Sequence, residues 1–367
     1  MTLRRTLSLF LVMLLLLPAA LAEQGTAAIT THPMPGTRIV GGGPSFWETP
    51  MDITDTQAVW AMLTAPITVV KGHQKQQTVL RAQPDQDSEA IADITFDSQG
   101  VHVLETLDNG WSLVEAYSSS FHDSKIKAWN QLTQGYIRTD ALQQKKVSQK
   151  YGLVVDKLTQ KLYIFEDGQL MDTLAVSTGL ANERQPYNET RSGEFLIVSP
   201  VGDFVSDNVV GAMALRFNDG DFIHEVVHIP RSSGKVYEPF EAVLGERASH
   251  GCIRVQRKRT PDGTNMNWLW TNMRKHMGEV RIVIWEDVQG RQIDVPDAAT
   301  PLWYNPDGGK NYHAAAKCYG VRDKFLPMTE FTYAELDDAA HSSLTPCPYC
   351  FPPLRPAEIE AINARYR

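Results

Sequence analysis

Ala248-Ser249-His250-Gly251-Cys252-Ile253-Arg254 is the stretch that decides what this chain folds into. A nucleophilic cysteine needs a base to make thiolate, donors for a tetrahedral oxyanion, and a backbone that lets substrate approach. Gly251, directly before Cys252, removes a side chain from that approach. Backbone amides around Cys252 are the candidate oxyanion donors. His224, His228 and His250 are the candidate bases. The alternative for a lone cysteine is a buried, inert thiol.

Outward from this heptapeptide the sequence is mainly strand-like. Leu153-Val154-Val155-Asp156 and Leu162-Tyr163-Ile164-Phe165 flank a polar turn, Asp167-Gly168 makes the next turn, and Thr173 to Gly179 follows. Gly193 to Val198, Val226-Val227-His228 and Val280 to Trp285 read as further strands. A helix is expected over Met266 to Lys275, where Met266, Leu269, Trp270 and Met273 recur at helical spacing. Arg231 to Glu246 reads as a loop that covers the site as a lid. His224 and His228 stand four residues apart, so a single strand presents both on one side.

Ser249-His250-Gly251-Cys252-Ile253-Arg254, preceded by a histidine on a strand, resembles the signature of the L,D-transpeptidase catalytic family (the YkuD type). Tyr151 to Gly179 resembles the family's opening strands and its Ser-Thr-Gly segment. Thr190-Arg191-Ser192-Gly193-Glu194-Phe195 resembles its Thr-Pro-x-Gly-x-Phe segment, with Arg191 in place of the usual proline. Gly278 to Ile284 resembles its closing strand.

The resemblance implies a β-sandwich-type catalytic domain over residues 150–287. Cys252 is then the nucleophile and His228 its base, oriented by a backbone carbonyl. Ser249, His250 and Gly251 belong to the motif, and the His250, Gly251 and Cys252 amides offer an oxyanion hole. Arg254 stands beside the site, binding a carboxylate or supporting the motif. Two departures keep His224 open as the base: Ile229-Pro230 follow His228 where the family has glycine, and the gap from His228 to Ser249 is long.

The implied substrates are peptidoglycan stem peptides. Cys252 attacks the carbonyl before a terminal D-Ala, and the resulting thioester passes to an amine of a neighbouring stem. Water in place of the amine makes the enzyme an L,D-carboxypeptidase; loss of the chemistry leaves a wall-binding protein. Carbapenems are the implied inhibitor class. No cofactor is called for in catalysis.

Residues 1–22 read as a secretory signal peptide. Arg4 and Arg5 supply the positive end, Leu7 to Leu17 the apolar run, and Ala20-Leu21-Ala22 the cleavage pattern. The run is too short for a good membrane span. An exported chain, periplasmic or cell-wall associated and without a transmembrane segment after cleavage, follows. Residues 23–64 are a lead-in with a short helix near Gln57 to Leu63. Residues 65–145 carry short strands, among them Ile67–Val70, Val101–Leu104, Trp111–Val114 and Gly135–Arg138. Asn109-Gly110 is a hairpin signal. Asn109-Gly110-Trp111 followed by Gly135-Tyr136-Ile137 resembles a bacterial SH3-like β-barrel, a wall-peptide binder or a spacer.

After a Pro-, Asp- and Ala-rich linker at 288–302, residues 303–367 gather the other cysteines. His313, Cys318, Cys347 and Cys350 make a Cys3His set, with Cys347-x-x-Cys350 as a half-site that suits zinc. His341 is the runner-up ligand. The competing arrangement is a disulfide, Cys318 with Cys347 or Cys350, which leaves one thiol over. Bonding to Cys252 would remove the nucleophile. A small zinc-stabilised module is expected.

The whole chain of 367 residues is 43% hydrophobic and 21% charged, which suits two or three folded domains, mainly β with some α. Its net charge is -8, and near -10 once the signal is removed, with no basic patch, which argues against a nucleic-acid partner.

Overall fold

The computed structural model describes residues 52–364, except 74–76, 120–125, 127–128, 181–184, 286–292, 319, 348–349 and 351. The expected signal peptide and most of the lead-in lie outside the described residues. Among the described residues no helix is long and apolar enough to cross a membrane. The chain is mainly β with few helices.

The central sheet has nine strands in the order Gly193–Leu196, Arg281–Trp285, Tyr151–Asp156, Lys161–Glu166, Gln169–Ser177, Ile253–Val255, Phe222–Glu225, Val209–Arg216 and Ser199–Ser206. Two neighbouring pairs are parallel: Arg281–Trp285 with Tyr151–Asp156, and Phe222–Glu225 with Ile253–Val255. Asp167 (φ 48°) and Gly168 (φ 87°) both take left-handed backbone, the geometry a two-residue hairpin turn requires.

The strands at the middle of this sheet are apolar at successive positions because both faces are covered. Leu153, Val155, Leu162, Ile164, Ile282 and Ile284 enter one core, against Met266, Leu269 and Met273 of the helix Met266–Met273. That helix starts where the Asn265 side chain accepts from the Trp268 amide at 3.0 Å. Val154, Tyr163, Phe165, Val283 and Trp285 enter a second core with Val59 and Leu63 of the helix Thr56–Thr64. Leu63 is fully buried against Gly152, where any Cβ would meet it at 2.9 Å.

Two expectations are corrected. The strand expected at Val226 to His228 is instead Phe222–Glu225. Ile223 is the residue that fits the core opposite Ile253, and both are fully buried. His228 lies beyond the strand and makes only an isolated bridge to Val210. The expected open loop after it holds the hairpin Ile229–Arg231/Gly234–Val236 and the helical turn Glu238–Glu241. Ser232, Ser233 and Gly234 (φ 126°) supply the turn chemistry that closes the hairpin.

Before the central sheet stands a five-stranded sheet in the order Ala90–Asp93, Val79–Arg81, Trp129–Arg138, Trp111–Ser119, His102–Thr106. Asn109-Gly110 turns the chain between its last two strands, with Gly110 at φ 82°. This sheet docks on the segment that resembles Thr-x-x-Gly-x-Phe. The Gly100 amide donates to the Glu194 carbonyl at 2.8 Å, His102 meets the Glu194 carboxylate at 3.1 Å, and the Ser192 amide donates to Asn130 at 2.6 Å.

The C-terminal residues build a four-stranded sheet in the order Thr329–Thr332, Pro301–Tyr304, Asn311–His313, Thr345–Pro346. Its main core is small: Leu302, Tyr312, Phe331, Tyr333, Leu336 and Leu344.

Candidate active site

The motif turn is held by its own side chains and by the end of the Gln169–Ser177 strand. Gly251 has φ 123°, and a Cβ there would meet the Asp221 carboxylate at 2.7 Å, so only glycine fits. The Ser249 hydroxyl donates to the Cys252 carbonyl and accepts from the Gly251 amide at 3.2 Å. Ser249 is thus the clamp of the turn. The Gly251 amide, one of the expected oxyanion donors, is engaged by it. The Ala248 and Ser249 amides both donate to the Thr178 carbonyl at 2.9 Å. Thr190 donates to the Gly251 carbonyl and accepts from the Gly179 amide, each at 2.7 Å. A Cβ at Gly179 would overlap the Asn188 carbonyl, at 1.7 Å.

Strand register places the reacting groups. Ile223 and Ile253 are partners and point into the core, so His224 and its partner Arg254 project from the other face. Cys252, two residues before Arg254, falls on that same face. The Phe222 amide donates to its sulfur, and the thiol points at the Gly220 carbonyl, 4.0 Å away. Cys252 is half-buried. Burial, and then the Asp221 charge, push its thiol up to about 12, against the Phe222 amide, Arg254 and Arg216. At neutral pH it rests as a neutral thiol, so attack needs a base that removes the proton as the bond forms.

His224 is buried, and its Nδ1 lies 2.6 Å from the Glu225 carbonyl. A carbonyl only accepts, so Nδ1 carries the hydrogen and Nε2 keeps the lone pair. Burial lowers the ring to about 4, opposed by the Glu225 bond and reinforced by Arg254. The imidazole is therefore neutral, and Phe204 packs edge-on against it at 5.0 Å. His228 is also buried, but its ring lies beside Tyr237, 4.9 Å between centroids. Its Nδ1 is buried without a hydrogen-bond partner among the described residues. His250 is exposed. Arg254 turns back on the motif: its guanidinium donates to the Ala248 carbonyl at 3.0 Å and stacks over Phe240.

A family model of the L,D-transpeptidase catalytic domain (YkuD) matches residues 150–284. Residues 150–284 form a catalytic domain of the L,D-transpeptidase family. No curated protein matches the chain. Among solved structures it is similar to an L,D-transpeptidase from Xylanimonas cellulosilytica, at 22% identity over 38% of this chain and 62% of that one, TM-score 0.27. It is similar to one from Stackebrandtia nassauensis at 21% identity over 40% and 60%, TM-score 0.28. It is also similar to L,D-transpeptidase 3 from Mycobacterium tuberculosis, solved with a faropenem-derived adduct, at 12% identity over 65% and 88%, TM-score 0.29. The chain spans about six tenths of the length of the first two.

Within the transpeptidase domain, two groups escaped the sequence reading. Asp221 packs against Gly251, accepts from the Asn218 amide at 3.0 Å and faces Arg191 at 3.8 Å. Burial raises its carboxyl, with Arg191 the main opposing charge. The signal was available: Arg191 stands where the family has proline. The second group is Lys157, fully buried, which donates to the Thr190 carbonyl at 2.8 Å and pairs with Glu189. Arg247 pairs with the same Glu189 at 3.0 Å, so this network anchors the 189–190 segment under the motif.

Outside the transpeptidase domain, His313, Cys318, Cys347 and Cys350 come together. One ligand atom from each lies within 4.8 Å of the others. His341, the runner-up, is occupied elsewhere: its Nδ1 lies 2.9 Å from the Glu335 carbonyl, and its ring stacks on Phe331.

Proposed function

We propose that the chain is an L,D-transpeptidase that joins peptidoglycan stem peptides through a Cys252 thioester. The observation that carries this is the half-buried Cys252 thiol in the Ser249-clamped turn, on the same sheet face as a neutral His224 whose Nδ1–H is fixed by the Glu225 carbonyl. His224 takes the role first assigned to His228, because it sits on the strand paired with the cysteine strand and has the carbonyl partner that leaves Nε2 free to accept a proton.

In the first step Nε2 of His224 takes the thiol proton and sulfur attacks the amide carbonyl before D-Ala. The developing oxyanion is met by the Cys252 and His250 amides. The carbon–nitrogen bond breaks, the proton passes to the leaving amine, and D-Ala departs. An amine from a second stem then attacks the thioester, gives its proton to His224, and the thiol is restored. Arg254 supports the motif from behind, through Ala248. The exported location rests on the signal sequence at residues 1–22. The five-stranded sheet is read as the SH3-like module, a wall-peptide binder or a spacer, supported by its Asn109-Gly110 hairpin.

A tetrapeptide stem incubated with and without an amine acceptor tests the reaction. Release of D-Ala with a cross-linked product is expected. Tripeptide alone in the presence of acceptor makes the enzyme an L,D-carboxypeptidase. Carbapenem treatment followed by mass spectrometry tests the nucleophile: an adduct on the wild type and none on Cys252→Ala is expected, and an equal adduct on both overturns the assignment.

A further inference from the structure

We propose that His313, Cys318, Cys347 and Cys350 hold one structural zinc ion in a closed tetrahedral site that staples the C-terminal module. The geometry is specific. A tetrahedral zinc with bonds of about 2.3 Å to sulfur and about 2.0–2.1 Å to nitrogen sets sulfur–sulfur edges near 3.8 Å and sulfur–nitrogen edges near 3.6 Å. The Cys318 and Cys347 sulfurs are 3.7 Å apart, and the Cys350 sulfur is 3.6 Å from Nδ1 of His313. A covalent disulfide needs about 2.05 Å. Two opposite edges thus match a metal tetrahedron with these four atoms at its corners, all four lie within 4.8 Å of one another, and the three thiols are unbonded to each other.

Backbone structure builds the arrangement. His313 ends the strand Asn311–His313, and Cys347 follows the strand Thr345–Pro346 that pairs with it in parallel. The Cys347 amide donates to the Tyr312 carbonyl at 3.0 Å, which sets the two ligands side by side. Cys318 follows His313 by five residues, and Cys350 follows Cys347 by three.

The surroundings suit metal-bound thiolates. The Gly320 amide donates to the Cys318 sulfur and the Ala314 amide to the Cys350 sulfur, both at 3.3 Å. Such donors spread the excess negative charge of three thiolates around a divalent ion. Met328, Trp303, Val321 and Leu326 pack against the cysteines. Four protein ligands, three of them buried, leave no open position for a substrate, so the ion is structural. Three thiolates and one imidazole favour zinc over oxygen-seeking cations.

The site also resolves a problem of redox chemistry. An exported chain with three clustered thiols has an odd number to pair, and its other cysteine is the nucleophile. One metal ion ties up all three and leaves Cys252 free.

The test uses the full mature chain purified without chelator. Elemental analysis is expected to find one zinc per chain in the wild type and in Cys252→Ser, and at least a fivefold loss in Cys347→Ser and in His313→Ala. Because those variants could fail to fold, wild-type protein exchanged with cobalt(II) is measured as well. It is expected to show the intense visible absorption of a tetrahedral thiolate site. Stoichiometric iron, a disulfide among Cys318, Cys347 and Cys350 in the unreduced peptide map, or wild type without metal and without the cobalt spectrum would each overturn the proposal.

Discussion

Cys252 and the C-terminal cysteines show one side chain put to opposite uses. Cys252 sits alone in a glycine-containing turn, half-buried, with a carboxylate beside it that disfavours its thiolate. Cys318, Cys347 and Cys350 sit together, with amides aimed at the Cys318 and Cys350 sulfurs, Nδ1 of His313 against that of Cys350, and the Cys347 sulfur 3.7 Å from that of Cys318. The difference lies in what surrounds sulfur. Burial and the Asp221 charge keep the lone Cys252 thiol protonated, whereas the crowded thiols have amide donors at two sulfurs, which suits the proposed metal ligands.

The strongest attack on that comparison is Cys252→Ala. It is expected to lower D-Ala release to below about one thousandth of wild type, with zinc content unchanged. Next comes the choice of base. His224→Ala is expected to lower the rate about 10²- to 10⁴-fold, and His228→Ala by less than about tenfold, in the same assay. The reverse order would return the role to His228.

Stability separates the regions further. Leu63→Ala, under the central sheet, is expected to cost about 2–5 kcal/mol in denaturant unfolding of the catalytic unit, without releasing zinc. His224 also makes stability depend on pH. Its folded value of about 4 lies below the ordinary 6.5, so the unfolded chain binds more protons between those values. Stability is expected to fall as pH drops through that window, by roughly 1.4 kcal/mol per unit at most. His224→Gln is expected to flatten the slope, read from urea midpoints at pH 4.5 and pH 7.

The smallest expected effect is at Asp221. Asp221→Asn removes a negative charge beside Cys252, so thiol alkylation is expected to become a few-fold faster at a given alkaline pH. An unchanged pH profile would mean that Arg191 already neutralises the carboxylate.

Much of the site was legible because it is local. Ser249, Gly251 and Cys252 act through one turn, and the hairpins at Asp167-Gly168 and Asn109-Gly110 are written in residues that accept left-handed backbone. His313 and the three cysteines were also legible as a set, because few other uses gather those residue types at those spacings. The proposed base was harder. Val226-Val227-His228 looks as strand-like as Phe222-Ile223-His224, and only pairing with Ile253–Val255 separates them. Lys157 was not legible, since its role depends on partners at Glu189 and Thr190, far along the chain, and Asp221 was signalled only indirectly, by Arg191 standing where the family has proline.

By itself, then, the sequence determined the mainly β character, the motif turn and the grouping of His313 with three cysteines, because turn geometry and residue chemistry act over a few positions. The tertiary structure decided which histidine lies on the strand paired with Ile253–Val255, that the Gly251 amide answers Ser249, and that one ligand atom from each of His313, Cys318, Cys347 and Cys350 lies within 4.8 Å of the others. Those outcomes depend on strand register and side-chain packing between distant segments, where a shift of one residue turns a side chain from the site into the core.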